Sequence, residues 1–159
     1  MKRVLLLLPL LVLPTACSGG GDDPAKAQKA AFVKQAEAIC TKANAARKDV
    51  SITSAPDAIP VAVRRLVTIA SDASAELNAL EPPEKDAAEL DSKFLAPLRA
   101  QVQLGQAYAK RVEETAAKGD QAAVLKLLGS APLKSDADLA FVKDYGMPQC
   151  AKAADTSTS

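Results

Sequence analysis

From residue 24 onward, apolar side chains return every third or fourth position through each stretch between prolines and glycines. That spacing describes one face of an α-helix, and it commits the chain to burying a set of helical stripes against one another. Over 24–49 the stripe is Phe32, Ala36, Ile39, Ala43 and Ala46, with Val50 just beyond and Cys40 beside it. Asp22 and Asp23 before Pro24 suit a helix start, because proline at the first helical position gives up a donor that has no partner there anyway. A connector over 51–60 carries Ser54 and Asp57 in a shortened capping arrangement, and Pro60 is expected to start or kink a second helix reaching 80. Val63, Leu66, Val67, Ala70, Ala73, Leu77 and Leu80 form its stripe, and Glu81-Pro82-Pro83 stops it.

A third and longest segment, 83–118, is marked by Leu90, Phe94, Leu98, Val102, Gly105, Tyr108 and Val112. Glu84, Asp86 and Glu89 crowd its start and Lys110, Arg111 and Lys118 its end, which complements the helix macrodipole. Pro97 lies in its interior, where it removes a backbone hydrogen bond and crowds the preceding turn, so a kink or a break is expected there. Gly119 closes the segment, and Asp120 caps a short helix through Leu128 that Gly129-Ser130-Ala131-Pro132 ends. Ser135 and Asp138 open a last helix through Tyr145, with Gly146 placed as its left-handed terminating residue. Met147-Pro148-Gln149-Cys150 reads as a return toward the first helix. Residues 151–159 are small and polar and are expected to be disordered. The fold expected is all-α: a small bundle of four to five helices over 24–150. Neither strand alternation nor an internal repeat is present.

Composition narrows the chemistry more than it defines it. The chain has no histidine, which removes the commonest general base and the commonest transition-metal ligand. The net charge is +1, a balance that gives no electrostatic reason for nucleic acid as partner. Phe32, Phe94, Tyr108, Phe141 and Tyr145 are scattered singly, as core anchors are, and form no base-stacking platform.

The first residues follow different rules. Met1-Lys2-Arg3 is a short positive start and 4–13 is an almost unbroken apolar run, too brief for the ~20 residues that a stable membrane span requires. Leu13-Pro14-Thr15-Ala16-Cys17-Ser18-Gly19-Gly20-Gly21 then resembles the lipobox of bacterial lipoproteins. Small residues precede a cysteine, and a flexible polar spacer follows it. The resemblance implies a signal peptide over 1–16, diacylglycerol on the Cys17 thiol, cleavage just before Cys17, and a tether over 17–23. Pro14 departs from the pattern, since the family places leucine three residues before the cysteine. The other reading of this segment is an ordinary secretory signal cut at Ala16 or nearby, with Cys17 incidental. Two or three acyl chains hold a protein firmly where one holds it marginally. Losing Lys2 and Arg3 with the leader would take the net charge from +1 to −1.

If Cys17 carries lipid, Cys40 and Cys150 remain, and an exported location allows them one disulfide. Two buried free thiols are the alternative. A cysteine in the first helix, a Pro-Pro between long helices and Tyr-Gly-Met-Pro-Gln-Cys near the end resemble small helical lipoproteins of actinobacterial type. Most of these have no assigned activity, so the resemblance implies architecture and location and brings no catalytic residue.

No catalytic, cofactor-binding or metal-ligating set is expected. Ser71, Ser74, Ser92 and Ser130 lie in no serine-lysine motif, and Glu113-Glu114 and Asp22-Asp23 read as solvated neighbours. No calcium-loop pattern exists, and Gly19-Gly20-Gly21 lacks the lysine of a phosphate loop. The function expected is therefore a non-enzymatic helical binding module, lipid-anchored on the extracytoplasmic face of the cell membrane. Its expected partners are the membrane itself and an envelope protein or apolar ligand. The alternatives are a carrier of an apolar small molecule between helices and, from another class, a hydrolase using carboxylates alone.

Overall fold

The computed structural model describes residues 23–51, 55, 57–131 and 135–155. The leader, Cys17 and its tether up to Asp22, Ser54, and the end of the tail from 156 lie outside them. Among the described residues there are six helices and no strand.

Helix α1 is Pro24–Lys48 and α2 is Ala58–Asn78. Helix α3 runs without interruption over 87–116, as Ala87–Leu90, a π-helical turn Asp91–Leu95, and Ala96–Ala116. Helices α4, α5 and α6 are Gln121–Leu128, Leu139–Asp144 and Pro148–Ala154. The starts are set where side chains can take up free backbone donors. Asp23 accepts from the Ala25 N–H at 3.1 Å, Asp120 from Ala123 at 2.9 Å and Asp138 from Phe141 at 2.9 Å. Asp57 precedes α2 as expected but caps nothing. Its own backbone is already helical (φ −72°, ψ −23°), which aims its carboxylate away from the free N–H groups.

Gly146 ends α5 at φ +105°, with the Met147 N–H on the Val142 carbonyl at 3.1 Å and the Gly146 N–H on Lys143 at 3.0 Å. This is a Schellman closure, and the Met147 and Val142 side chains that flank it are both buried.

The prolines of the third segment do less damage than the sequence suggests. Pro97 has no N–H to offer the Lys93 carbonyl, and the chain answers with a π turn immediately upstream, where the Ala96 N–H reaches back to Asp91. The Lys93 carbonyl that is left over accepts the Asp138 N–H at 2.9 Å. The defect thus becomes the point where the start of α5 docks on α3, and the helix does not break.

Two corrections concern the end of the chain. Residues 148–154 were expected as a return loop running into a disordered tail, yet they form α6, and Ala154 is buried. Pro148 opens it, and Gln, Ala and Lys continue it at little conformational cost. Among the described residues the bundle therefore has six helices rather than four to five. Neighbours run in a circuit: α3 on α2, α2 on α1, α1 on α6, α6 on α5, and α5 back on the π turn of α3; α4 packs on α3.

Burial gathers into two cores. The first holds Phe32, Ala36, Cys40, Leu77, Leu90, Phe94, Val142, Met147 and Cys150. The second holds Ile59, Val63, Tyr108, Ala109, Val112 and Val124. Gly105 lets α3 approach α2 closely between them, since a Cβ there would lie 3.4 Å from Val67 Cγ2. Gly105 thus serves helix packing at this point.

Candidate functional site

Cys40 and Cys150 form a disulfide, with sulfurs 2.03 Å apart and Cα atoms 4.9 Å apart. Both sit inside the first core. Around the bridge, α1 clamps α6 at both ends. Glu37 Oε1 accepts from the Gln149 and Cys150 N–H groups at 2.8 and 3.2 Å, standing in for the cap that Met147 cannot provide. Asn44 donates to the Gln149 carbonyl at 2.9 Å, and Arg47 donates to the Ala153 carbonyl at 2.7 Å. A carboxylate at the start of α6 and a guanidinium at its end match the polarity of that helix. Sequence reasoning missed this arrangement, since no local signal connects Glu37 or Arg47 to residues more than a hundred positions away.

Tyr145 is a second centre. Its hydroxyl donates to Asp86 Oδ2 at 2.6 Å, the Lys29 ammonium stands 3.8 Å above its ring, and Phe32 and Phe141 pack at centroid distances of 6.4 and 5.7 Å. Burial first, then the bond to Asp86, push its pKa well above that of a free tyrosine. Tyr108 is raised as well, by burial, with Arg111 opposing. Both tyrosines therefore stay protonated and act as anchors.

The side chains considered for chemistry are spread apart. Glu113 accepts from Arg64 at 2.6 Å, and Glu114 lies 3.9 Å from Lys110, so the two neighbours face different cations. Asp23 is occupied as a cap. Ser92 donates to the Glu89 carbonyl, Ser130 donates to the Leu127 carbonyl, and Ser74 accepts from Asn78. Among the described residues no three metal-binding side chains gather.

Two clefts lie between helices of the described residues. The first, about 360 Å³, lies between α1 and α2, where Ile39, Ala43, Ala46, Ile69 and Ala73 make apolar walls. Lys42, Asp72 and Glu76 edge it, and Lys42 donates to Glu76 at 2.8 Å. Asp72 lies one helical turn from Glu76, and both raise the pKa of that ammonium, the hydrogen bond that Lys42 donates to Glu76 foremost and the charge of Asp72 least. The second, about 370 Å³, separates the end of α3 from α4. Arg111, Glu114, Thr115 and Lys118 form one wall and Ala123, Lys126, Leu127 and Ser130 the other. None of the described helices is long and apolar enough to cross a membrane. Comparison with protein-family models, with curated proteins and with solved structures finds no match for this chain.

Proposed function

We propose that the chain is a lipoprotein of the outer face of the cell membrane, held by lipid on Cys17 and presenting a non-enzymatic helical module that binds a component of the envelope. The observation that carries this reading is how the three sulfurs divide. Cys40 and Cys150 take each other, and the third cysteine stands between an apolar run and a Gly-rich spacer. An internal disulfide suits an exported, oxidising location. The helical domain begins at Pro24, directly after that spacer. In this reading attachment falls to the lipid, because a diacylated thiol supplies the two chains that firm anchorage needs.

The test is mass spectrometry of the protein taken from membranes of an exporting bacterium. The expected N-terminal peptide starts at Cys17 and carries diacylglycerol, and Cys17→Ser moves the protein to the aqueous phase with its leader retained. A mature protein with an unmodified Cys17 overturns the proposal.

One observation favours the carrier as a second reading, namely the apolar cleft between α1 and α2. Its volume falls within the range of small-molecule pockets, although it is an open groove and not a closed cavity. A fluorescent long-chain fatty acid should then bind, and Ala43→Leu, which fills the groove, should abolish binding. Unchanged binding by that variant removes this reading.

A further inference from the structure

Lys42 and Arg64 each meet a carboxylate of a neighbouring helix, Glu76 and Glu113 at 2.8 and 2.6 Å, while Lys93 and Arg99 pair with Glu89 and Asp91 of their own helix. Three cations of the cleft between α3 and α4 meet neither kind of partner. Arg111, Lys118 and Lys126 line it together, and none makes an ion pair among the described residues. The one carboxylate in the cleft, Glu114, is 3.9 Å from Lys110. The two hydroxyls are committed as well, since Thr115 donates to the Arg111 carbonyl at 2.8 Å and Ser130 to the Leu127 carbonyl at 3.1 Å.

Helix polarity accounts for single cations at the ends of α3 and α4. It does not account for three of them lining one cleft, where an anion could pair with them together. The cations on the α3 wall are seven residues apart, about 10 Å along a helix axis, which describes a row and not a single focus. No lining residue is aromatic, so bases would have nothing to stack on. Two of the three cations are lysines, which bind phosphate as point charges, and the third is an arginine, whose fork can take two phosphate oxygens.

We infer that this cleft binds an extended anionic polymer through successive phosphodiester groups. The inference rests on the reading of the chain as an envelope-binding module and names the chemistry of its ligand. The test uses the full chain in neutral detergent, with binding to poly(glycerol phosphate) measured by fluorescence anisotropy at 50 and 200 mM salt. Dextran serves as the neutral polymer and polygalacturonate as the carboxylate one.

Wild type should bind poly(glycerol phosphate) and lose on the order of tenfold in affinity across that salt range, as counterion release requires. The variant Arg111→Gln/Lys118→Gln/Lys126→Gln should bind at least about tenfold more weakly at low salt. Lys118→Gln alone, beyond the end of α3, should fall between the two. A control that removes three exposed cations elsewhere, Lys26→Gln/Lys143→Gln/Lys152→Gln, should change affinity less than about twofold. Equal losses in cleft and control variants overturn the site. Absence of wild-type binding, or equal binding to polygalacturonate, overturns the phosphodiester. Because the lipid on Cys17 takes no part in this measurement, failure here and failure of the anchor are read separately.

Discussion

The same substitution should act in opposite directions at the two buried tyrosines. Tyr108 is 5 % exposed, and its hydroxyl has no hydrogen-bond partner among the described residues. A polar group buried without a bond costs about 1–3 kcal/mol, so Tyr108→Phe should stabilise the protein by on the order of 1 kcal/mol. A thermal melt reads this as a midpoint raised by about 2–4 °C; a lowered midpoint would mean that the hydroxyl has a partner after all. Tyr145 has a bond to lose, and at neutral pH its replacement by Phe should lower the midpoint.

Its raised pKa adds a pH dependence. The folded state holds the phenol proton more tightly than the unfolded state, whose tyrosine titrates near ~10. The resulting stability is whole below that pH and is lost as pH climbs from ~10 toward the folded-state value. Denaturant melts from pH 8 to 11.5 should show this alkaline decline, and Tyr145→Phe should flatten it down to the share left by Tyr108, Lys42 and Lys93, whose pKa values are raised too. An unchanged slope would show that Tyr145 does not carry it.

At the scale of elements, α6 depends on a residue far away in sequence. Its free N–H groups are taken by Glu37, 112 residues from Gln149. Glu37→Ala should cost about 1–2 kcal/mol, as loss of a helix cap does. Hydrogen exchange should locate the effect, with amides over 149–154 losing protection and those of α4 unchanged; uniform loss would argue for a broader role. This dependence separates what the sequence made legible from what it did not. The stripes of α1, α2 and α3, the caps at Asp23, Asp120 and Asp138, and the turn at Gly146 are local, resting on residues within a few positions of each other. They stand where they were expected.

Helix α6 spans seven residues, too few for a 3.6-residue period to register, and its capping group lies in another helix. Pro97 was ambiguous for a similar reason, since helix continuity involves a carbonyl that Asp138, 45 residues on, satisfies. Among the candidate sites, the pairing of Cys40 with Cys150 was readable once Cys17 was set aside. Arg111 and Lys118 read only as charge at a helix end. That Lys126 faces them requires α4 to fold back over α3, which no spacing announces.

The two cores raise a question about the whole molecule: whether it unfolds as one unit. The disulfide joins residues 110 apart, and closing a loop of that length limits the unfolded chain by roughly 4–5 kcal/mol of loop entropy. Against a net stability of about 5–15 kcal/mol for an ordinary domain, that is a large share. Its benefit should nevertheless be unevenly placed. Cys40 and Cys150 both belong to the first core, while the second is built from α2, α3 and α4 without either sulfur. If the second core opens while the first stays folded, residues 40 and 150 remain together with or without a covalent bond. The disulfide then adds nothing against that opening. Native-state hydrogen exchange on wild type and on Cys40→Ala/Cys150→Ala should show this directly. Amides of the first core, such as Leu77 and Phe94, should lose several kcal/mol of protection on removal of the bridge. Those of Val112 and Val124 should keep theirs up to whatever global limit the variant retains. A parallel fall in both cores would mean that Val67 and Gly105 join them into one cooperative unit. Protection unchanged in both would mean that the bridge does not constrain the unfolded chain at all.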